Sequence, residues 1–143
     1  MNRFLNAAAL LVFCVAAASP VHAAGALAVA EPADIVKDGY AAGISYHKKT
    51  AAEADQTAIR ECESVDSAPV STRKLCKVVS SFENQCAAVA LDPEAGTPGA
   101  GWGVATTLAD ARREALRRCE ATAGAKRQGE CRVTAEGCDG KAK

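Results

Sequence analysis

Beyond residue 23 the chain carries six cysteines (Cys62, Cys76, Cys86, Cys119, Cys131 and Cys138), one histidine (His47), one tryptophan (Trp102) and an arginine cluster (Arg112, Arg113, Arg117 and Arg118). These residues could do chemistry by type and spacing. Zinc would need closely spaced thiolate or imidazole pairs. Between successive cysteines lie 13, 9, 32, 11 and 6 residues, so there is no Cys-x-x-Cys. That spacing disfavours both a metal site and a thioredoxin-type redox site, and no metal or cofactor is expected. A serine or cysteine nucleophile paired with an imidazole would have to use His47. The chain has no Gly-x-Ser-x-Gly elbow, and His47 sits in the polar run Tyr46-His47-Lys48-Lys49-Thr50, which reads as an exposed loop. No catalytic residue is expected.

The chemistry left for the cysteines is disulfide formation, which needs an oxidising compartment. The N-terminus fits one. Arg3 precedes twelve apolar residues, Ala7 to Ala18, and then Ser19-Pro20 and the small-residue site Val21-His22-Ala23. That is the build of a signal peptide cleaved after Ala23. The run is too short to cross a bilayer core, and Cys14 lies within it rather than at a lipidation site. The expected product is exported, periplasmic or secreted, with no stable membrane anchor after cleavage. It has 16 basic and 17 acidic residues, a balance that gives no reason to expect a nucleic-acid partner.

The elements that must position these residues come in two copies. Thr50-Ala51-Ala52-Glu53-Ala54 through Ile59-Arg60-Glu61-Cys62 returns 57 residues later as Thr107-Leu108-Ala109-Asp110-Ala111 through Leu116-Arg117-Arg118-Cys119, with six of thirteen positions identical. Thr50 with Glu53, and Thr107 with Asp110, are capping boxes that open a helix. Ala51, Ala54, Ala58, Ile59 and Cys62 form one apolar stripe; Leu108, Ala111, Ala115, Leu116 and Cys119 form the other. Ahead of each helix lie two short strands joined by a turn-rich loop. Gly25–Ala30 is set against Cys86–Leu91, and Tyr40–Tyr46 against Gly101–Thr106. After each helix comes a final strand, Cys76–Phe82 or Cys131–Glu136. The expected fold is α+β: two strand–strand–helix–strand repeats, about 25–82 and 86–138, packed as one pseudo-symmetric domain over 24–138. Asp139 to Lys143 reads as a frayed polar tail.

Six cysteines allow 15 pairings. Equivalence of Cys62 with Cys119, and of Cys76 with Cys131, ranks Cys62–Cys76 and Cys119–Cys131 first, leaving Cys86–Cys138. The swapped set, Cys62–Cys131 with Cys76–Cys119, is also symmetric but closes longer loops across the halves.

The repeated Thr-x-x-[Glu/Asp]-Ala…Ala-[Ile/Leu]-Arg-x-Cys unit, the Gly/aromatic strand before it and the Cys-[Lys/Arg]-Val after it resemble the domain of unknown function 4189 family, over about residues 25–138. The resemblance implies a small exported bacterial domain of two strand–strand–helix–strand halves with disulfides. It supplies no catalytic motif. Some members are thought to act as secreted effectors or immunity-type binding proteins. Two departures stand out: the first strands are Ala-rich, and Arg132-Val133-Thr134-Ala135-Glu136 lacks the family's aromatics.

An exported, non-catalytic interaction module with an unidentified protein partner is therefore the leading expectation. An immunity or inhibitor protein for a toxin or envelope hydrolase comes next, and a small secreted hydrolase last. Candidate partner-binding residues are Arg112, Arg113, Arg117, Arg118 and Trp102, with Lys126, Arg127 and Arg132 as possible additions. The plainer account of the arginines is an ion-paired helix face, since Glu114 lies three and four residues from Arg117 and Arg118. Trp102, flanked by Gly101 and Gly103, fits a packing role. The other helix has Asp55, Gln56 and Glu61 where this one has Arg112, Arg113 and Arg118. The two copies differ most in charge.

Overall fold

The computed structural model describes residues 23–143; the leader segment and Cys14 lie outside the described residues. In chain order the elements are β1 (Ala24–Ala30), α1 (Ile35–Asp38), β2 (Ala41–Lys48), α2 (Ala51–Glu63), α3 (Val70–Arg73), β3 (Lys77–Phe82), β4 (Cys86–Leu91), β5 (Ala100–Ala105), α4 (Leu108–Ala123) and β6 (Arg132–Cys138). A short 3-10 turn, Ala125–Arg127, precedes β6. The strands form two antiparallel three-stranded sheets, ordered β2-β1-β3 and β5-β4-β6. The first strand of each half is thus the central one.

Strand alternation sorts the core into layers. Ala26, Ala28 and Ala30 of β1 pack on Ala54, Ala58 and Cys62 of α2. Cys86, Ala88 and Ala90 of β4 pack on Ala111, Ala115 and Cys119 of α4. The opposite faces meet between the sheets, where Leu27 and Val29 join Ala87 and Val89. The order of layers is helix, sheet, sheet, helix. Alanine on both sides of each helix–sheet contact lets the layers approach closely. Gly43 on β2 and Gly101 on β5 take this to its limit: a Cβ at Gly43 would overlap the Ala58 carbonyl and the Cys62 amide, and one at Gly101 the Ala115 carbonyl and the Cys119 amide.

The helix starts form as the capping boxes require. Thr50 Oγ1 accepts from the Glu53 amide and Thr107 Oγ1 from the Asp110 amide, both at 3.1 Å. Ala51 is exposed, because it precedes the turn that first meets the sheet. Three cystines close: Cys62–Cys76, Cys119–Cys131 and Cys86–Cys138. The first two tie each helix to the start of its final strand. The third joins β4 to β6 at facing positions.

The structure also revises the repeat in four places. Both sheets carry the same bulge, between Leu27 and Ala28 against β3 and between Val89 and Ala90 against β6. Leu27 is therefore equivalent to Val89, and Cys86 to Ala24 rather than Gly25. A one-residue slip would turn every side chain to the wrong face. Second, the first half gains α1 within the expected turn-rich loop and α3 between α2 and β3, and the two meet where the Thr72 hydroxyl donates to the Asp38 carbonyl. Third, β6 runs on to Cys138. Fourth, Asp139 to Lys143 is docked rather than frayed. Asp139 is fully buried, its amide donates to Gln85 O at 2.8 Å, and Lys143 O accepts from the Leu108 amide at 3.0 Å, at the start of α4.

Candidate binding surface

With the repeat aligned, equivalent positions can be compared directly. Gly43 and Gly101 correspond, so Ile44 corresponds to Trp102, Tyr46 to Val104, Glu61 to Arg118, Asp55 to Arg112 and Ser81 to Glu136. The contacts agree with this. Asp55 Oδ1 accepts from Ser81 Oγ at 2.6 Å in one half. The Arg112 guanidinium makes a bidentate pair with Glu136 in the other. Each is a link from helix to final strand at the same place.

The two lateral edges of the sandwich differ. Along one, β2 faces β6 across a groove of about 850 Å³. Its apolar lining comes from Ala42 and Ile44 of β2, Val65 beyond α2, and Val133 and Ala135 of β6. Tyr46 stands at one end, and Glu61, Arg112 and Glu136 also line it. A recess of about 250 Å³ shares Ala42, Val65 and Ala135 and reaches Val89 and Leu91 of the central strand β4. The inter-sheet core is thus reached from this side. At the equivalent positions of the other edge, the larger Trp102 replaces Ile44, and both are partly buried against the inter-sheet core. Arg118, replacing Glu61, lies over the indole at 4.2 Å, and the indole Nε1 donates to Glu31 at 3.3 Å. An aromatic ring capped by a guanidinium occupies what the first edge leaves open.

Every arginine of the cluster is ion-paired, four guanidinium groups sharing three carboxylates. Arg112 pairs with Glu136, Arg113 with Asp110, and Arg117 and Arg118 both with Glu114. Hydrogen bonds from Arg117 and then Arg118 hold the Glu114 carboxyl at about 2. The hydroxyl of Thr107, then the charge of Arg113, lowers Asp110. The hydrogen bonds of Arg112 lower Glu136. Such carboxylates stay ionised at neutral pH and are poor proton donors. The structure brings Trp102 and Arg118 together and sets Arg112 on the groove, while Arg113 and Arg117 pair along α4. Arg127 is drawn off to Asp92 and Glu94, and Arg132 donates to the carbonyls of Gly129 and Cys131.

His47 is on β2 rather than in a loop. Its side chain is 60 % exposed and its Nδ1 lies 3.9 Å from Asp139. Among the described residues no group of three His, Cys, Asp or Glu side chains is placed to hold a metal ion. No helix among them is long and apolar enough to cross a membrane.

The Asp92–Arg127 pair is a contact that sequence reasoning missed. It binds the β4–β5 loop to the turn before β6, with bonds of 2.8 and 2.6 Å. Those bonds, and the Glu94 amide, lower the Asp92 carboxyl from 3.8 to about 2. Its ionised form is the one that folding favours, so the unfolded chain binds more protons in that window. The contribution is complete above pH 3.8 and is lost as the pH falls through about 2. Melting midpoints between pH 5 and pH 2 should drop more steeply for the wild type than for an Asp92→Asn, Arg127→Met double variant. Equal slopes would refute the assignment.

Two facing antiparallel sheets, a helix on each outer face, three cystines and one open edge define a duplicated, disulfide-braced α+β domain. Residues 23–138 match the family DUF4189, described as a domain of unknown function, and the chain belongs to that family. Among solved structures it is similar to the NMR structure of Rv1813c from Mycobacterium tuberculosis, at 20% identity, with 96% of each chain covered and a TM-score of 0.44. No curated protein matches.

Proposed function

We propose that the chain is an exported, non-catalytic binding module that receives a protein partner in the groove between β2 and β6. The observation that carries this is the inequality of the two edges. A duplicated scaffold keeps a groove of mixed apolar and charged lining open on one side and sets Trp102 under Arg118 at the equivalent positions of the other. The polar groups at the groove favour binding over chemistry. Arg112 and Glu136 are committed to each other, which leaves no poised acid–base pair there. Three cystines suit a domain that works in an oxidising compartment. Inhibition of a toxin or envelope hydrolase is the finer form of the same reading. In the α4-face alternative, Arg113, Arg117, Arg118 and Trp102 meet an acidic partner, and binding would fall with salt.

The second half supplies its own test. Ile44→Trp with Glu61→Arg transplants the filled edge into the groove. Affinity capture from periplasm and culture medium should recover a protein with the wild type and lose it with this double variant. An Arg113→Ala, Arg117→Ala variant should retain it. Unchanged capture by the groove variant would reject the groove, and loss with the α4 variant alone would move the surface to that helix. Inhibition of the captured protein's activity would establish the inhibitor form.

A further inference from the structure

The end of the groove is built by a contact between the halves that neither repeat contains alone. Thr50 lies seven positions after Gly43, but Thr107 only six after Gly101. The extra residue is taken up as a bulge in β2: the register moves from Ala26↔Ser45 to Ala24↔Lys48, whereas β4 and β5 pair without a shift. His47 sits in the bulge with φ +57°, a conformation unusual for a residue with a side chain. Its amide donates to Asp139 Oδ1 at 2.8 Å. Next to it, the Tyr46 ring lies edge-on to the imidazole at 5.4 Å and covers Gly137 of β6, where a Cβ would overlap the ring.

Asp139 is held in place from its own side. Its amide extends the β4–β6 ladder to Gln85, one step beyond Cys86–Cys138. The Lys141 amide donates to Asn84 Oδ1 at 3.1 Å, and Ala142 packs against the α4 core. As a stability device Asp139 is poor, because it is fully buried and its Oδ2 has no hydrogen-bond partner among the described residues. A buried polar atom left unsatisfied costs free energy. Its other oxygen does something specific: it accepts from the amide of His47 in the bulge.

We propose that Asp139 is a positioning residue for the groove: by clamping the His47 bulge it aims Tyr46 across β6 onto Gly137 and so sets the groove's end wall. Its consequence for partner binding rests on the groove being the contact surface; the positioning itself does not, and it can be read without any partner. The measurements are nuclear Overhauser contacts between the Tyr46 ring and the Gly137 α-protons, hydrogen exchange of the His47 amide, and fluorescence of added 1-anilinonaphthalene-8-sulfonate. Asp139→Ala should abolish the contacts, speed His47 exchange about tenfold or more, in the range of local opening, and raise dye fluorescence. Asp139→Asn, which keeps an acceptor oxygen, should behave as the wild type. Gly137→Ala should displace the ring and raise dye fluorescence while His47 stays protected, which separates the wall from its clamp even if the alanine variant at 139 does not fold. The proposal is overturned if the Tyr46–Gly137 contacts survive Asp139→Ala, if the asparagine variant loses them, or if Gly137→Ala leaves the ring in place. Intact contacts with no captured partner would count against the binding reading alone.

Discussion

Gly101→Val is expected to be the most damaging single substitution in the second half, and Gly43→Val its counterpart in the first. Gly101 lies beneath the second half of α4 and Gly43 beneath the last turn of α2, and the nearest atoms facing both are helix backbone. A Cβ at Gly101 would overlap the carbonyl of Ala115 and the amide of Cys119. Backbone cannot swing aside as the end of a long side chain can, so the whole helix must lift. Lifting α4 separates Ala111 and Ala115 from Ala88 and Ala90, and alanines are too short to follow. Cys119–Cys131 opposes the movement, since it anchors the same part of α4 to the start of β6. Overpacking of an interior costs about 1–3 kcal/mol even where side chains can adjust. Here alanine should cost about 3 kcal/mol and valine more. Urea unfolding of Gly101→Ala and Gly43→Ala would measure this; unchanged midpoints would mean that the helices are not seated as described.

Loss of the third cystine is expected to cost more than loss of either repeated one. Cys62–Cys76 and Cys119–Cys131 span 14 and 12 residues, while Cys86–Cys138 spans 52. The stabilisation from cross-linking the unfolded chain grows with loop length: about 3 kcal/mol for the short loops and about 4 kcal/mol for the long one. A native-state effect acts in the same direction, because Cys138 immediately precedes Asp139, and freeing β6 from β4 loosens the anchor of the His47 bulge. Paired cysteine-to-alanine variants, unfolded in urea one cystine at a time, should rank in that order. A Cys86→Ala, Cys138→Ala protein as stable as the other two would show that the chain-entropy term does not dominate.

Much of the scaffold was legible because its causes are local. A threonine three residues before an acid opens a helix wherever it stands, and alanines three and four apart mark the buried face. The helix of each strand–strand–helix–strand repeat follows from those signals. Where the reading slipped, the cause was also physical. Gly25-Ala26-Leu27-Ala28 and Cys86-Ala87-Ala88-Val89 are both buried on two faces, so alternation in polarity could not set their phase, and the shared bulge settled it. Helices α1 and α3 have four residues each, too few for a periodic signal.

The candidate surface was legible only in part. Trp102 and the arginines were visible as unusual residues, and the opposed charge of the two helices marked where the copies diverge. Their meaning was not visible, because the groove is defined by the residues that fail to fill it, Ile44 and Glu61, as much as by those that fill its counterpart.

By itself, then, the sequence determined the repeat, the helix starts, the buried stripes and the equivalence of the cysteines, all consequences of neighbours within a few turns of chain. Only the tertiary structure decided that the sheets face each other, that one edge stays open, and that a polar C-terminal segment is a keystone. Asp139 meets His47 across 92 residues, and nothing local distinguishes its carboxylate from a solvated one. Its role exists only once two halves of unequal length close against each other and the His47 amide meets its acceptor.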